Sequence, residues 1–250
     1  MGRATQYVVK ERSDIDYKPP SFVCDNELHK RVTPPLPNHH HFMCITGPAG
    51  SGKTSMAVSM LTSRQCYKKV FHEIHVIMPS HSRASLKDDI FKGHPRCYEE
   101  LDYASLSAIS KATAAASEKK RTSLIVMDDV GAALKDKHIQ RLMKEIIWNR
   151  RHHITSIWVL VQSYNSLPMQ IRKSISHLCM FKPVNRKEAD LVFSELAYKA
   201  KEDLDDLLRY VYDIPHSWLL LDVAGGRYHK KIDLIESKED AAKHEHETKG

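Results

Sequence analysis

The sequence predicts an α/β domain with a mostly parallel central sheet flanked by helices and closed by a C-terminal β-hairpin. Three observations carry this expectation. Short apolar runs of strand length alternate with stretches of helical periodicity along most of the chain. A glycine-rich loop, 47-GPAGSGKT-54, joins the first apolar run to the first helical stretch. A later apolar run, Leu124 to Met127, ends in the carboxylate pair Asp128-Asp129.

The elements follow in order. Residues 1–38 are polar and carry Pro19-Pro20 and Pro34-Pro35-Leu36-Pro37, which predicts an extended arm ahead of a domain spanning 39–235. His41 to Thr46 reads as a short buried strand, and Lys53 to Leu61 as the opening of a helix. Glu73 to Met78 is the second strand, closed by Pro79-Ser80. From Ser82 to Lys120 the pattern is mixed, with a helical, Ala/Ser-rich stretch at 104–121 whose role cannot be read. Leu124 to Met127 is the next strand. Leu134, Ile139, Leu142, Met143, Ile146 and Ile147 then recur at helical spacing, and Ile157 to Val161 is another buried strand. Leu178 to Phe181 gives a fifth strand and 186–211 a helical region. Trp218 to Val223 and Tyr228 to Ile232 pair as a hairpin turned at Gly225-Gly226. The tail, 236–250, is charged and expected to be disordered.

At 250 residues, with 42% hydrophobic and 28% charged content, the chain is expected to bury a full core in one globular domain. No run approaches the apolar length of a membrane span, and the first residues lack the apolar core of a signal peptide, so export is not expected. The five cysteines, Cys24, Cys44, Cys66, Cys97 and Cys179, show no C-x-x-C pair and read as buried free thiols of a reducing compartment. His39-His40-His41 has no cysteine or carboxylate at ligand spacing and is assigned a structural role. The net charge of +7 favours a polyanionic partner. Its basic clusters, Lys119-Lys120-Arg121, Arg150 to His153, Arg172-Lys173 and Arg227 to Lys231, flank strands and connecting loops and are candidates to line one face.

The glycine-rich loop states its chemistry most directly. Gly47, Gly50 and Gly52 permit backbone angles that turn successive amides inward around phosphate oxygens, with Pro48, Ala49, Ser51 and Ser55 completing the cradle. Lys53 supplies a charge for the outer phosphates, and the Thr54 hydroxyl is a ligand for Mg²⁺. The start of the following helix adds its partial positive charge. A chance glycine turn would explain neither the lysine nor the threonine.

Asp128 and Asp129 supply what the loop lacks. Asp128 is assigned to the magnesium shell and Asp129 to the water that attacks the γ-phosphate. The loop lies far enough upstream to leave room for one strand between the two motif strands. That marks a P-loop NTPase of the RecA-like class with a catalytic acid, as opposed to a kinase or GTPase, and no N-K-x-D guanine motif is present. Gln162 ends the strand 157-IWVLVQ-162; it is either a contact to the γ-phosphate or attacking water, or a plain strand terminus.

Taken together, Gly47 to Thr54, Leu124 to Val130, 149-NRRHH-153, the strand ending in Val161-Gln162-Ser163, 167-LPMQIRKSISHLCMFKP-183 and Glu188 to Glu195 carry a family resemblance. In unbroken order over roughly residues 40 to 200, they resemble the DNA-packaging ATPases of large eukaryotic double-stranded DNA viruses. The poxvirus packaging ATPase is the type, within the FtsK/HerA superfamily. The resemblance implies ATP hydrolysis with Mg²⁺, coupled to translocation of double-stranded DNA into a capsid during virion assembly. It implies a ring of five or six copies, a capsid or portal-vertex partner, and residence in the host cell, in a cytoplasmic viral factory or the nucleus, and in the virion. It also implies an arginine acting on the neighbouring subunit's ATP. Arg150 or Arg151 matches that position, with Arg172 a second candidate that could instead touch DNA or a neighbour. Many members carry Glu where this chain has the shorter Asp129. Competing readings are another FtsK/HerA-like translocase or helicase, a small-molecule kinase, and an ATP-gated assembly protein with little turnover.

Overall fold

The first apolar run forms strand β1 (Phe42–Thr46), buried at every position. The computed structural model describes residues 27–84, 86, 89–197 and 201–235. After β1 come α1 (Lys53–Thr62), β2 (Glu73–Ile77), α2 (Ser80–Ala84), β3 (Cys97–Tyr98) and α3 (Tyr103–Glu118). The middle of the chain forms β4 (Ser123–Asp128), α4 (Lys137–Asn149), β5 (Thr155–Val161), α5 (Met169–Arg172) and β6 (His177–Phe181). It closes with α6 (Arg186–Leu196), α7 (Lys201–Val211), β7 (Trp218–Asp222), β8 (Arg227–Lys230) and β9 (Asp233–Ile235).

Local chemistry sets several helix starts. Asp102 accepts from the Ser105 amide while the Ser105 hydroxyl accepts from the Asp102 amide, a capping box that opens α3. Asp136 caps α4 through the His138 and Ile139 amides, and Asn185 caps α6 through that of Glu188.

The strands form one sheet in the order β3-β2-β4-β5-β1-β6-β7-β8-β9. Pairing is parallel from β3 through β6 and antiparallel from β6 through β9. The parallel strands are apolar almost throughout, as strands covered on both faces must be. Alternate residues serve opposite faces. Phe42, Cys44, Ile125 and Met127 pack with α3, α4, α6 and α7, whereas Met43, Ile45, Leu124 and Val126 pack with Ala57, Met60 and Leu61 of α1.

Two sequence expectations, the arm and the cysteines, are corrected, and two are refined. The part of the 1–38 arm that is described, residues 27–38, does not stand off the core: Leu28, Val32 and Leu36 are buried on the α1 face because their side chains cover apolar surface there. Residues 1–26 and the tail 236–250 lie outside the described residues. The helical region 186–211 is two helices, α6 and α7. The hairpin gains a third strand, because Lys231 takes a positive φ of 58° and turns the chain back as β9. Of the cysteines described, Cys44 and Cys179 are buried free thiols, but Cys66 and Cys97 are partly exposed; Cys24 lies outside the described residues.

His41, from the histidine run, is a core residue. Trp158 Nε1 donates to its Nε2 at 2.8 Å, and its Nδ1 donates to the His39 carbonyl at 2.8 Å. Both ring nitrogens are thereby used in one neutral tautomer, and burial holds the imidazole pKa well below its usual range.

Candidate functional site

Parallel pairing places the C-terminal ends of β1, β4 and β5 side by side, with Thr46 opposite Val161 and Asp128 opposite Leu160. Whatever follows these strands is gathered at one edge of the sheet. The loop after β1 is the glycine-rich segment, and its amide at Gly47 donates to the Val161 carbonyl at 3.2 Å. A Cβ at Gly47 would lie 2.6 Å from Cβ of Phe181, so close approach to β6 requires glycine there. Gly52 takes φ 105° at the cap of α1, a conformation that side chains resist. Lys53 then begins the helix, and its Nζ donates to the carbonyls of Gly47 and Pro48 at 2.7 and 3.0 Å. Burial lowers the Lys53 pKa, and the charges of Asp128 and Asp129 oppose that shift.

The hydroxyl of Thr54 donates to Asp128 Oδ2 at 2.9 Å, uniting the two expected magnesium ligands. Burial raises the Asp128 pKa, against the Thr54 hydrogen bond and the Lys53 charge. The next residue, Asp129, has φ 53°, and its amide donates to Leu160 at 3.2 Å. Gln162 Nε2 donates to Asp129 Oδ1 at 3.1 Å, so the amide at the end of β5 is directed into the site. Ala49, Gly50, Lys53, Thr54, Asp128, Asp129, Leu160 and Gln162 line a cavity of about 240 Å³ together with His81 and Ser82. Those last two were missed from sequence. Only the turn after β2 brings them in, and nothing in their local pattern marks it.

The strand that separates the two motif strands is β5, which follows both motifs in the chain. The strands that lie between them in sequence, β2 and β3, both sit on the far side of β4. Gln162 therefore stands between the loop and the carboxylates.

The expected arginines are placed elsewhere. Arg150 and Arg151 precede β5, at the opposite edge of the sheet, roughly 20 Å away along a strand of this length. Neither can reach the loop of its own chain. Arg150 is partly buried and donates to the Ile147 carbonyl at 2.9 Å, and burial lowers its pKa; Arg151 is exposed. Arg172 is corrected: it is buried and not available to ATP, DNA or a neighbour. Its guanidinium donates to both Glu195 oxygens at 2.9 and 2.7 Å and to the Leu167 carbonyl at 2.9 Å, and it lies 5.2 Å from the Tyr164 ring centre. Glu188, a second residue without an assigned role in the sequence reading, accepts from the Tyr164 amide at 2.6 Å. These two acids of α6 hold the loop that follows Gln162. The basic clusters 119–121 and 150–153 precede β4 and β5 and so share the edge opposite the loop, but Lys231 does not.

The chain has the P-loop NTPase fold, with a third strand separating the glycine-rich loop from the paired carboxylates. The same fold is found in the genome packaging NTPase B204 of Sulfolobus turreted icosahedral virus 2, solved with AMP, at TM-score 0.59 and 14% identity over 78% of this chain and 98% of that one. It is found also in EssC (ATPases 2 and 3) of Geobacillus thermodenitrificans, at TM-score 0.54 and 11% identity over 82% of this chain and 42% of that one.

The family described as Poxvirus A32 protein matches residues 32–214, and the chain belongs to it. The DNA packaging protein OPG160 of Vaccinia virus (strain Copenhagen) is 28% identical over 176 residues, which are 68% of this chain and 63% of that protein. The protein of the same name from Variola virus is 27% identical over 179 residues, 69% of this chain and 64% of its own. The chain thus spans a little under two thirds of these relatives.

Proposed function

We propose that this chain is the ATPase of a viral genome-packaging motor, coupling ATP hydrolysis to translocation of double-stranded DNA into a capsid during virion assembly in the host cell. The observation that carries the reading is the convergence of Lys53, Thr54, Asp128, Asp129 and Gln162 at one sheet edge, in a chain of the A32 family. Similarity to proteins named for DNA packaging supports the choice of DNA as the load.

The donor set fits a hard divalent cation. Thr54 Oγ1 and Asp128 Oδ2 are oxygen donors 2.9 Å apart beside the phosphate loop, as Mg²⁺ bound with a nucleotide requires. When bound, the ion would neutralise charge developing on the β- and γ-phosphates. Backbone amides of the loop from Ala49 to Ser55 hold the phosphates, and Lys53 turns from the loop carbonyls to the outer phosphate oxygens. Asp129, steadied by Gln162, accepts a hydrogen bond from the attacking water and orients it in line. An arginine of the preceding edge, Arg151 or Arg150, acts on the neighbouring copy's nucleotide in a ring of five or six, since it cannot serve its own. DNA is gripped through phosphates, because a pump must accept any sequence. Capsid or portal-vertex proteins anchor the ring.

The test is turnover with and without long duplex DNA across a salt series. ATPase activity stimulated by DNA, with stimulation that fades as salt rises, is the expected result. Asp129→Asn should lower kcat by about 10²–10³-fold with ATP binding retained. Phosphate transfer to a nucleoside instead of water would replace this reading with a kinase.

A further inference from the structure

β4 carries Asp129 at its tip and is flanked by β2 on one side and β5 on the other. The β5 side contributes Gln162, which donates to Asp129 Oδ1 at 3.1 Å. From the β2 side, Pro79 turns the chain into α2, and the second residue of that helix, His81, stands with Nε2 3.8 Å from Asp129 Oδ2. Each oxygen of the carboxylate therefore faces a nitrogen from the segment that follows a different neighbouring strand.

We propose that His81 is a positioning residue for the Asp129 carboxylate, an inference that rests on the ATPase reading above. Asp129 has 39% of its side chain exposed, so little packing restrains it. Held by Gln162 alone, the carboxylate can pivot about its bond to Cβ. A second donor on the other oxygen fixes its plane and leaves a lone pair on each oxygen for water. The aspartate is one methylene shorter than glutamate, so its oxygens meet the water over a narrower range of angles, and orientation matters more. At 3.8 Å the pair is not yet hydrogen-bonded. The His81 side chain is 73% exposed, and a small rotation of it closes the gap, as catalytic contacts commonly tighten once a nucleotide is bound. An imidazole with hydrogen on Nε2 is sufficient, with no charge required.

The test is steady-state ATP hydrolysis by the full chain, with nucleotide affinity measured in parallel. His81→Ala should lower kcat about tenfold and leave KM for ATP and the affinity within about twofold. His81→Gln, which keeps a nitrogen donor at similar reach, should recover most of that loss. The inference is overturned by a kcat for His81→Ala within about twofold of native or above it, by a change confined to KM, or by His81→Gln as slow as His81→Ala. If the native chain itself does not turn over ATP, the ATPase reading fails first and takes this inference with it. Any negative result with an active native chain strikes His81 alone.

Discussion

The Thr54 hydroxyl donates to the Asp128 carboxylate at 2.9 Å, across 74 residues of sequence. It joins the start of α1 to the end of β4, so the fold itself brings together the two oxygens proposed to hold Mg²⁺. The cost is a carboxylate that burial disfavours as an anion, as the raised pKa of Asp128 records.

That cost makes a stability prediction. In the unfolded chain the Asp128 carboxyl ionises near 3.8, and in the folded protein only at higher pH. No penalty exists below the unfolded value; it develops as pH rises through the folded value and is complete above it. Asp128→Asn should therefore raise the Tm of the nucleotide-free protein by a few degrees at pH 7, give no gain at pH 3, and abolish the magnesium dependence of ATP binding. Thermal melts at the two pH values check the sign, and an Asp128→Asn protein that melts lower at pH 7 would contradict it.

The arginines make a prediction about assembly. Because Arg150 and Arg151 lie at the edge opposite their own loop, mixing Arg151→Ala subunits with Asp129→Asn subunits should restore part of the turnover that each lacks alone. Arg151, the more exposed of the two, is mixed first, and the same series is run with Arg150→Ala. Turnover followed across mixing ratios decides the matter. If neither arginine shows recovery, the action across the interface is wrong.

Buried neutral histidines predict acid sensitivity. Burial lowers His40, His75 and His177 from 6.5 to about 4 and carries His41 well below its usual range. Between those values the unfolded chain takes up protons that the folded protein does not, so stability falls as pH drops from about 6.5 toward 4. Replacing His41 by Leu removes one such group but leaves Trp158 Nε1 without its acceptor, at a cost of about 1–3 kcal/mol near neutral pH. Denaturant unfolding of both proteins at pH 7 and pH 5 should show a smaller acid loss in the variant, from a lower starting stability.

How much of this was legible in sequence depended on how local each signal is. The phosphate loop is contiguous, and its glycines, lysine and threonine state their function within a single turn. The carboxylate pair is marked by the apolar run before it. The hairpin at Gly225-Gly226 and the strands Phe42–Thr46 and Thr155–Val161 announce themselves by composition. Arg172 misled because a guanidinium next to Lys173 reads as surface charge. Its burial depends on Glu195 and Tyr164, which the chain supplies from other elements.

The sequence by itself determined the parts of the candidate site: a glycine-rich loop, a lysine, a hydroxyl and two carboxylates, each recognisable because short-range spacing marks it. Only the tertiary structure decided the order of the strands, and that order is set by which long-range pairings bury the most apolar surface. It placed β5 between the two motifs and aimed Gln162 at Asp129. It brought His81 to the other side of the same carboxylate and put Arg150 and Arg151 at the far edge. Side chains distant in sequence meet at the site because parallel strands end together.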